Sequence, residues 1–210
     1  MSRILVINPN SSSAVTRGIA EALAPLGDHF DCRDLPSSPA TIATDEDVAR
    51  AGVGLAEMVK TTPAAAYVTA CFSDPGLDMA RALTDRPVIG IQEAGILTAM
   101  ARADLFGIIA LGPNSIGRHR RKIRMMGVES RLAGELPLSG VSAEASGRDE
   151  TVYAEVRETA ARLRDMGAGA IVLGCAGMAP IRARLERDTG VAVIDPVMAG
   201  AAMALGAVLG

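Results

Sequence analysis

The chain repeats its landmarks at a fixed spacing of 104 residues. Cys71, which ends the run Ala66-Tyr-Val-Thr-Ala70, is matched by Cys175, which ends Ala170-Ile-Val-Leu-Gly174. Pro9-Asn10-Ser11, after Ile4-Leu-Val-Ile7, is matched by Pro113-Asn114-Ser115, after Ile108-Ile-Ala-Leu111. Pro87-Val-Ile-Gly-Ile91 is answered by Val191-Ala-Val-Ile-Asp195. Three matched landmarks at one offset indicate a duplicated unit. In 210 residues, duplication predicts two small lobes facing each other, each contributing one cysteine.

The local patterns give each lobe an α/β plan. Residues 3–7 and the two cysteine-delivering runs are continuously apolar, as in parallel strands covered on both faces. Helices are predicted from about Ala14 to Leu26, Asp45 to Thr61, Asp74 to Thr84, Gln92 onward, Ile116 to Met126, Thr151 to Met166, Met178 to Asp188 and Pro196 to Leu209. Asp74-Pro75 reads as N-cap and N1 of its helix. Further strands are predicted over 28–34, 87–91, 106–111 and 191–194, and residues 139–150 read as loop. The fold class is therefore α/β: two pseudo-symmetric lobes, each a short parallel sheet flanked by helices, with an active site in the cleft between them. The first lobe takes residues 1–96, with 197–210 returning to it as a C-terminal helix. The second takes 97–196.

Composition narrows the function. A net charge of −3 gives no electrostatic reason to bind nucleic acid or an anionic membrane. The basic run Arg118-His-Arg-Arg-Lys122 has no interleaved aromatics and reads as a solvated helix face. A strand within four residues of Met1 leaves no room for a secretory signal, and no apolar run approaches a membrane span, so the expected location is cytoplasmic. Three cysteines do not make a disulfide framework. Cys32 has no counterpart at the repeat offset and reads as a small buried hydrophobe. His29 and His119 sit at no strand end and read as surface residues. Glu93 reads as a solvated acid opening a helix.

Cys71 and Cys175 stand at equivalent strand ends, where ligands of open α/β sheets bind. A helix N-terminus after each would favour its thiolate. The alternative is a pair of inert buried thiols. A cytosolic location opposes a disulfide, and two thiols without a neighbouring histidine are too few for a metal site. The remaining chemistry is paired acid–base work on an acidic carbon. One thiolate removes a proton from one face while the other thiol returns one to the opposite face, with no cofactor and no metal. The turn Asn8-Pro-Asn-Ser-Ser-Ser13 and the small residues Ala176-Gly177 offer backbone amides for a carbonyl or developing enolate.

Ile7-Asn-Pro-Asn-Ser11, Cys71-Phe-Ser-Asp-Pro-Gly-Leu77 and Leu173-Gly-Cys-Ala-Gly-Met178 resemble the signature segments of hydantoin racemases, within the aspartate/glutamate racemase superfamily. The likeness extends over nearly the whole chain, including Pro87-Val-Ile-Gly-Ile-Gln-Glu-Ala94 and the turn at 112–115. It implies four-stranded parallel sheets, a cofactor-free two-base mechanism, a small-molecule substrate and a homo-oligomer. By this resemblance Cys71 and Cys175 are the catalytic pair. Asn10, Ser11, Phe72, Ser73, Pro113, Ala176 and Gly177 are the expected substrate contacts, chiefly through backbone amides. The superfamily's amino-acid racemases follow their cysteines with Asn-Thr and Thr-Glu. Phe72-Ser73 and Ala176-Gly177 depart from that pattern and point to a neutral cyclic ureide, a 5-substituted hydantoin or allantoin. Free aspartate or glutamate, a maleate-type isomerisation and binding without turnover are the alternatives.

Overall fold

A computed structural model describes residues 3–210. The first sheet runs β2-β1-β3-β4, with β1 at Ile4–Asn8, β2 at Phe30–Asp34, β3 at Ala66–Thr69 and β4 at Val88–Gly90. The second repeats that order as β6-β5-β7-β8, with β5 at Phe106–Ala110, β6 at Leu132–Pro137, β7 at Ala170–Gly174 and β8 at Ala192–Ile194. Every pairing is parallel. The helices are α1 (Ser13–Leu23), α2 (Asp45–Thr61), α3 (Leu77–Arg81), α4 (Ile91–Arg102), α5 (Ile116–Met125), α6 (Ala145–Arg148), α7 (Glu150–Asp165), α8 (Arg182–Thr189) and α9 (Pro196–Leu209). None is long and apolar enough to cross a membrane among the described residues.

The continuous apolar strands are explained by burial on two faces. Along β1, Ile4 and Val6 join a core with Val15, Ile19 and Val197, while Leu5 and Ile7 join another with Leu55, Val59 and Tyr67. Alternate side chains point to opposite faces, so both must be apolar. α9 supplies Val197, Ala201 and Ala204 to the first of these cores, which brings the C-terminus back onto the first sheet. The second sheet packs Ile171 and Leu173 against Val156, Ala160 and Leu163 of α7. A further core joins the halves, with Phe72 and Ile96 against Phe106, Ile108 and Val172.

Three local predictions are corrected. Residues 132–137 form a strand that the sequence reading leaves unassigned. Gly134 and Pro137 mask it, and both are tolerated because β6 is an edge strand. Residues 139–150 are not wholly loop, because they contain the short helix α6. Asp74 does not cap its own helix: α3 begins only at Leu77, after the left-handed Gly76. Asp74 is itself left-handed, at φ 43°, and turns its buried carboxylate onto the Gln92 and Glu93 amides at 2.9 and 3.2 Å. It thereby caps α4, whose own N-cap position, Gly90, has no side chain to do so.

Asp74→Ala is expected to lower stability by about 2–4 kcal/mol, because it strands two buried amides and forces alanine into a left-handed backbone. Asp74→Asn keeps an acceptor and tolerates that backbone, so it should lose about half as much. Equal denaturant midpoints for the two variants would contradict the capping role.

Candidate active site

The two turns after β3 and β7 are built alike. The Cys71 carbonyl accepts the Asp74 N–H at 2.9 Å, and the Cys175 carbonyl accepts the Met178 N–H at 3.1 Å. Cys175 Sγ also accepts the amide two residues ahead, the Gly177 N–H at 3.4 Å, and the Ser73 amide, in the matching position, opposes the rise of the Cys71 pKa. Close packing fixes the second turn. A Cβ on Gly177 would lie 1.9 Å from the Ala143 carbonyl oxygen, so only glycine allows the chain to pass there.

Both thiols face one cavity of about 40 Å³, lined also by Asn10, Phe72, Ser73, Ala176 and Gly177. The turn after β1 presents Asn10 through a buried amide network. Asn8 Nδ2 donates to Asn10 Oδ1 at 2.8 Å and to Thr16 Oγ1 at 3.0 Å, and the Ser12 N–H donates to the same Asn10 oxygen at 2.9 Å. That oxygen is thus occupied, and the Asn10 NH₂ group is the end free to serve the cavity. Ser11 is not part of the lining; its amide donates to the Pro39 carbonyl at 3.1 Å. Pro113 lines an adjoining outer chamber of about 410 Å³, with Ala43, Asn114, Gly140 and Val141. Thr41, Ile42, Leu111, Ser115 and Arg118 border both spaces, so the two adjoin.

Arg118 and His119 are the residues that sequence reasoning missed. They read as part of a solvated basic stripe, and His119 as a surface residue. His119 is instead buried, and the Arg118 side chain is only 9% exposed. Arg118 Nε donates to Ser73 Oγ at 2.8 Å, and its Nη1 donates to the carbonyls of Ala43 and Asn114 at 3.2 and 3.1 Å. His119 stacks edge-on against Phe72, with ring centroids 5.1 Å apart. The spacing Ile116, His119, Ile123 marks one helix face and would have predicted this burial. Lys122 also leaves the stripe: its Nζ meets Glu93 Oε1 at 2.5 Å. Glu93 is therefore not a solvated acid; Arg81 and Lys122 pair with it and hold its carboxyl below its usual range against the opposing effect of burial.

The helix N-terminus expected after each thiol is present only at Cys175, which caps the short 3-10 helix Ala176–Ile181. A tight turn, not a helix, follows Cys71, and burial dominates. Burial pushes the Cys71 thiol up to about 12, opposed by the Ser73 amide, while the facing Cys175 adds to the rise. Cys175 is also pushed up by burial, opposed by the Gly177 amide and the Ser146 hydroxyl. Two facing thiols in one small cavity resist simultaneous ionisation, which leaves one the proton when the other loses it. Cys32 lies outside this site, half-buried, its thiol raised to about 11 by burial.

Two parallel four-stranded sheets that turn one thiol each into a shared cavity define a two-lobed α/β enzyme. The Asp/Glu/Hydantoin racemase family pattern matches residues 4–204. Hydantoin racemase of Paenarthrobacter aurescens is 41% identical over 212 residues, spanning 96% of this chain and 89% of that protein. Hydantoin racemase of Rhizobium meliloti is 34% identical, spanning 96% of this chain and 86% of the relative. The solved structure of allantoin racemase from Klebsiella pneumoniae is 34% identical, superposes with a TM-score of 0.92, and covers 100% of this chain and 88% of its own. The chain belongs to the Asp/Glu/Hydantoin racemase family and is an isomerase of the racemase type.

Proposed function

We propose that this protein inverts the acidic C5 carbon of a small cyclic ureide, a 5-substituted hydantoin or allantoin, by a cofactor-independent reaction between Cys71 and Cys175. The observation that carries this reading is the matched pair of thiols, set at equivalent strand ends and both facing one cavity. As one thiolate takes the C5 proton, the electron pair moves into the ring carbonyl as an enolate. The opposite thiol then delivers its proton to the other face of the planar carbon. The roles of the two sulfurs exchange for the other enantiomer. Asn10 Nδ2 and the amides of Phe72 and Ala176 serve the ring carbonyls, where charge develops. Apolar Phe72 and the small Ala176-Gly177 provide no partners for an amino acid's ammonium and carboxylate. The outer chamber behind Ile42 and Leu111 takes the C5 substituent.

The test is optical rotation with single enantiomers of benzylhydantoin, isopropylhydantoin and allantoin, beside L-aspartate and L-glutamate. Loss of rotation on a ureide and none on the amino acids is expected; the reverse result removes the ureide assignment. Loss on neither, with maleate converted to fumarate, would make the protein a cis-trans isomerase.

The direction of the thiol shifts sets the pH dependence. The base must be a thiolate, and a raised pKa leaves it a minority species at neutral pH. Each added unit then multiplies that fraction tenfold, while the partner thiol keeps its proton. Log kcat/KM is therefore expected to climb with a slope near one between about pH 7 and 9. A profile flat above neutrality would mean that the thiolate is already formed there.

A further inference from the structure

Behind Ser73 lies a buried line of side chains that the thiol chemistry leaves unused. Ser73 Oγ sits 3.4 Å from His119 Nε2, and His119 Nδ1 sits 2.6 Å from Glu135 Oε1. The His119 and Glu135 side chains are 2% and 0% exposed, and Glu135 Oε2 has no hydrogen-bond partner among the described residues. Glu135 arrives from β6, whose Glu135 pairs with Ile108 of β5, and His119 from α5. Ser73, His119 and Arg118 all line the cavity beside Cys71.

The donors and acceptors of Ser73 can be counted. A hydroxyl has one hydrogen to give and two lone pairs. Arg118 Nε, which can only donate, takes one lone pair at 2.8 Å. What remains depends on His119 Nε2. If that nitrogen is bare, the Ser73 hydrogen is spent on it and a lone pair faces the cavity. If it carries hydrogen, it takes the second lone pair, and the Ser73 O–H is left to point into the cavity. The proton count of the His119–Glu135 pair therefore decides what Ser73 offers a substrate.

Burial favours the second state. A neutral imidazole beside an ionised Glu135 leaves a net charge in the interior, with one carboxylate oxygen unpartnered. One more proton makes the pair net neutral; on Nε2 it meets the Ser73 oxygen, whereas on Oε2 it would be a buried O–H without an acceptor, so Nε2 is the favoured place. Of the other charged and titratable groups around it, one cation adjoins Ser73 and has its own carboxylate in Asp45, and the rest are engaged elsewhere or are the cavity thiols. Arg118 is committed to Ser73, Ala43, Asn114 and Asp45; Lys122 pairs with Glu93; Asp74 caps α4; and Cys71 and Cys175 are the thiols across the cavity.

We infer that the Glu135–His119 pair, with Arg118, holds the Ser73 hydroxyl as an obligate hydrogen-bond donor to the substrate's ring carbonyl, making Ser73 a third functional side chain beside the two thiols. This rests on the ureide reading for the identity of the acceptor, but the donor state itself does not. Glu135 and His119 act through Ser73 and are positioning residues.

Only two histidines occur in the chain, so [15N]histidine labelling gives a spectrum with two imidazoles. His29→Gln assigns them. In two-bond 15N–1H spectra near neutral pH, both ring nitrogens of His119 are expected to carry hydrogen. A bare Nε2 on His119 overturns the inference, whether or not the protein turns anything over. That separates its failure from failure of the racemase reading. In kinetics, Ser73→Ala is expected to lower kcat roughly 100-fold with KM changed by less than about threefold, as for a donor used mainly in the transition state. In Glu135→Gln, the glutamine oxygen can accept from Nδ1–H and leave Nε2 bare; the same two-bond spectrum reads the tautomer, and with Nε2 bare kcat should fall as far although Ser73 is present. The double variant should be no worse than either single one. A Ser73→Ala kcat within threefold of the parent, or fully additive losses in the double variant, contradicts the proposal.

Discussion

Serine in place of either Cys71 or Cys175 is expected to cut the rate of racemisation by roughly 1,000-fold or more. A serine hydroxyl fits the same space but is far too weak an acid to serve as a base at neutral pH, and far too reluctant to surrender its proton to an enolate. The two variants should fail in complementary ways. With Cys175 lost, Cys71 can still remove the proton from the enantiomer presented to it and return one to the same face. That variant should therefore wash the C5 hydrogen of one enantiomer into solvent without inverting it. The Cys71→Ser variant should do the same with the mirror image. Both variants should keep the parent's thermal midpoint within a few degrees, since neither substitution opens a cavity or removes a hydrogen bond that another group needs. A variant that retains racemisation within tenfold of the parent would assign its cysteine to packing.

Gly177→Ala is the second large effect. Its Cβ would meet the Ala143 carbonyl oxygen at 1.9 Å and Ser146 Oγ at 3.2 Å. The first contact is with backbone, so no side-chain rotation relieves it. The reverse side is no looser, because the Gly177 carbonyl lies where a Cβ on Gly147 would stand, also at 1.9 Å. The turn after β7 and the segment from Ala143 to Gly147 must therefore separate. That moves the amide that bonds Cys175 Sγ and opens the cavity wall at Ala143. The expected cost is about 3 kcal/mol, at the upper end of overpacking effects, with loss of most activity. Urea unfolding and turnover measured on the same preparation test this. Full stability with full activity would mean that the segment shifts freely and is no part of the site.

How much of this was legible in the sequence depended on whether one residue carried its own explanation. β1, β3, β5 and β7 are visible because a strand buried on both faces must be apolar at every position. Cys71 and Cys175, after β3 and β7, are visible because the repeat marks them. β6 is hidden because an edge strand tolerates Gly134 and Pro137, and because its Glu135 is buried to meet His119, a residue that lies on another element. Asp74 misleads for a similar reason. Its neighbours Pro75 and Gly76 suggest a local cap, whereas its partners are the amides of Gln92 and Glu93. Arg118 and His119 sit in a run of charge. The spacing Ile116, His119, Ile123 marks His119 as facing inward, but only the three-dimensional position of α5 over the cavity distinguishes Arg118 from Arg120 and Arg121. The thiol electrostatics were misjudged because a dipole can be read from a predicted helix start, while the opposing cost of burial needs the second sheet in place.

The two-thiol account is tested most directly by isotope entry in D₂O from a single enantiomer of a substrate that the wild-type protein turns over. Early in the reaction, the inverted product and the recovered substrate are separated by chiral chromatography and weighed for deuterium by mass spectrometry, against a protein-free control. If one sulfur takes the proton and the other supplies its replacement, the product carries solvent deuterium from the first turnover while the recovered substrate remains protium at C5. Deuterium entering both pools at equal rates would mean that one group serves both faces, and the opposed roles of Cys71 and Cys175 would have to be abandoned.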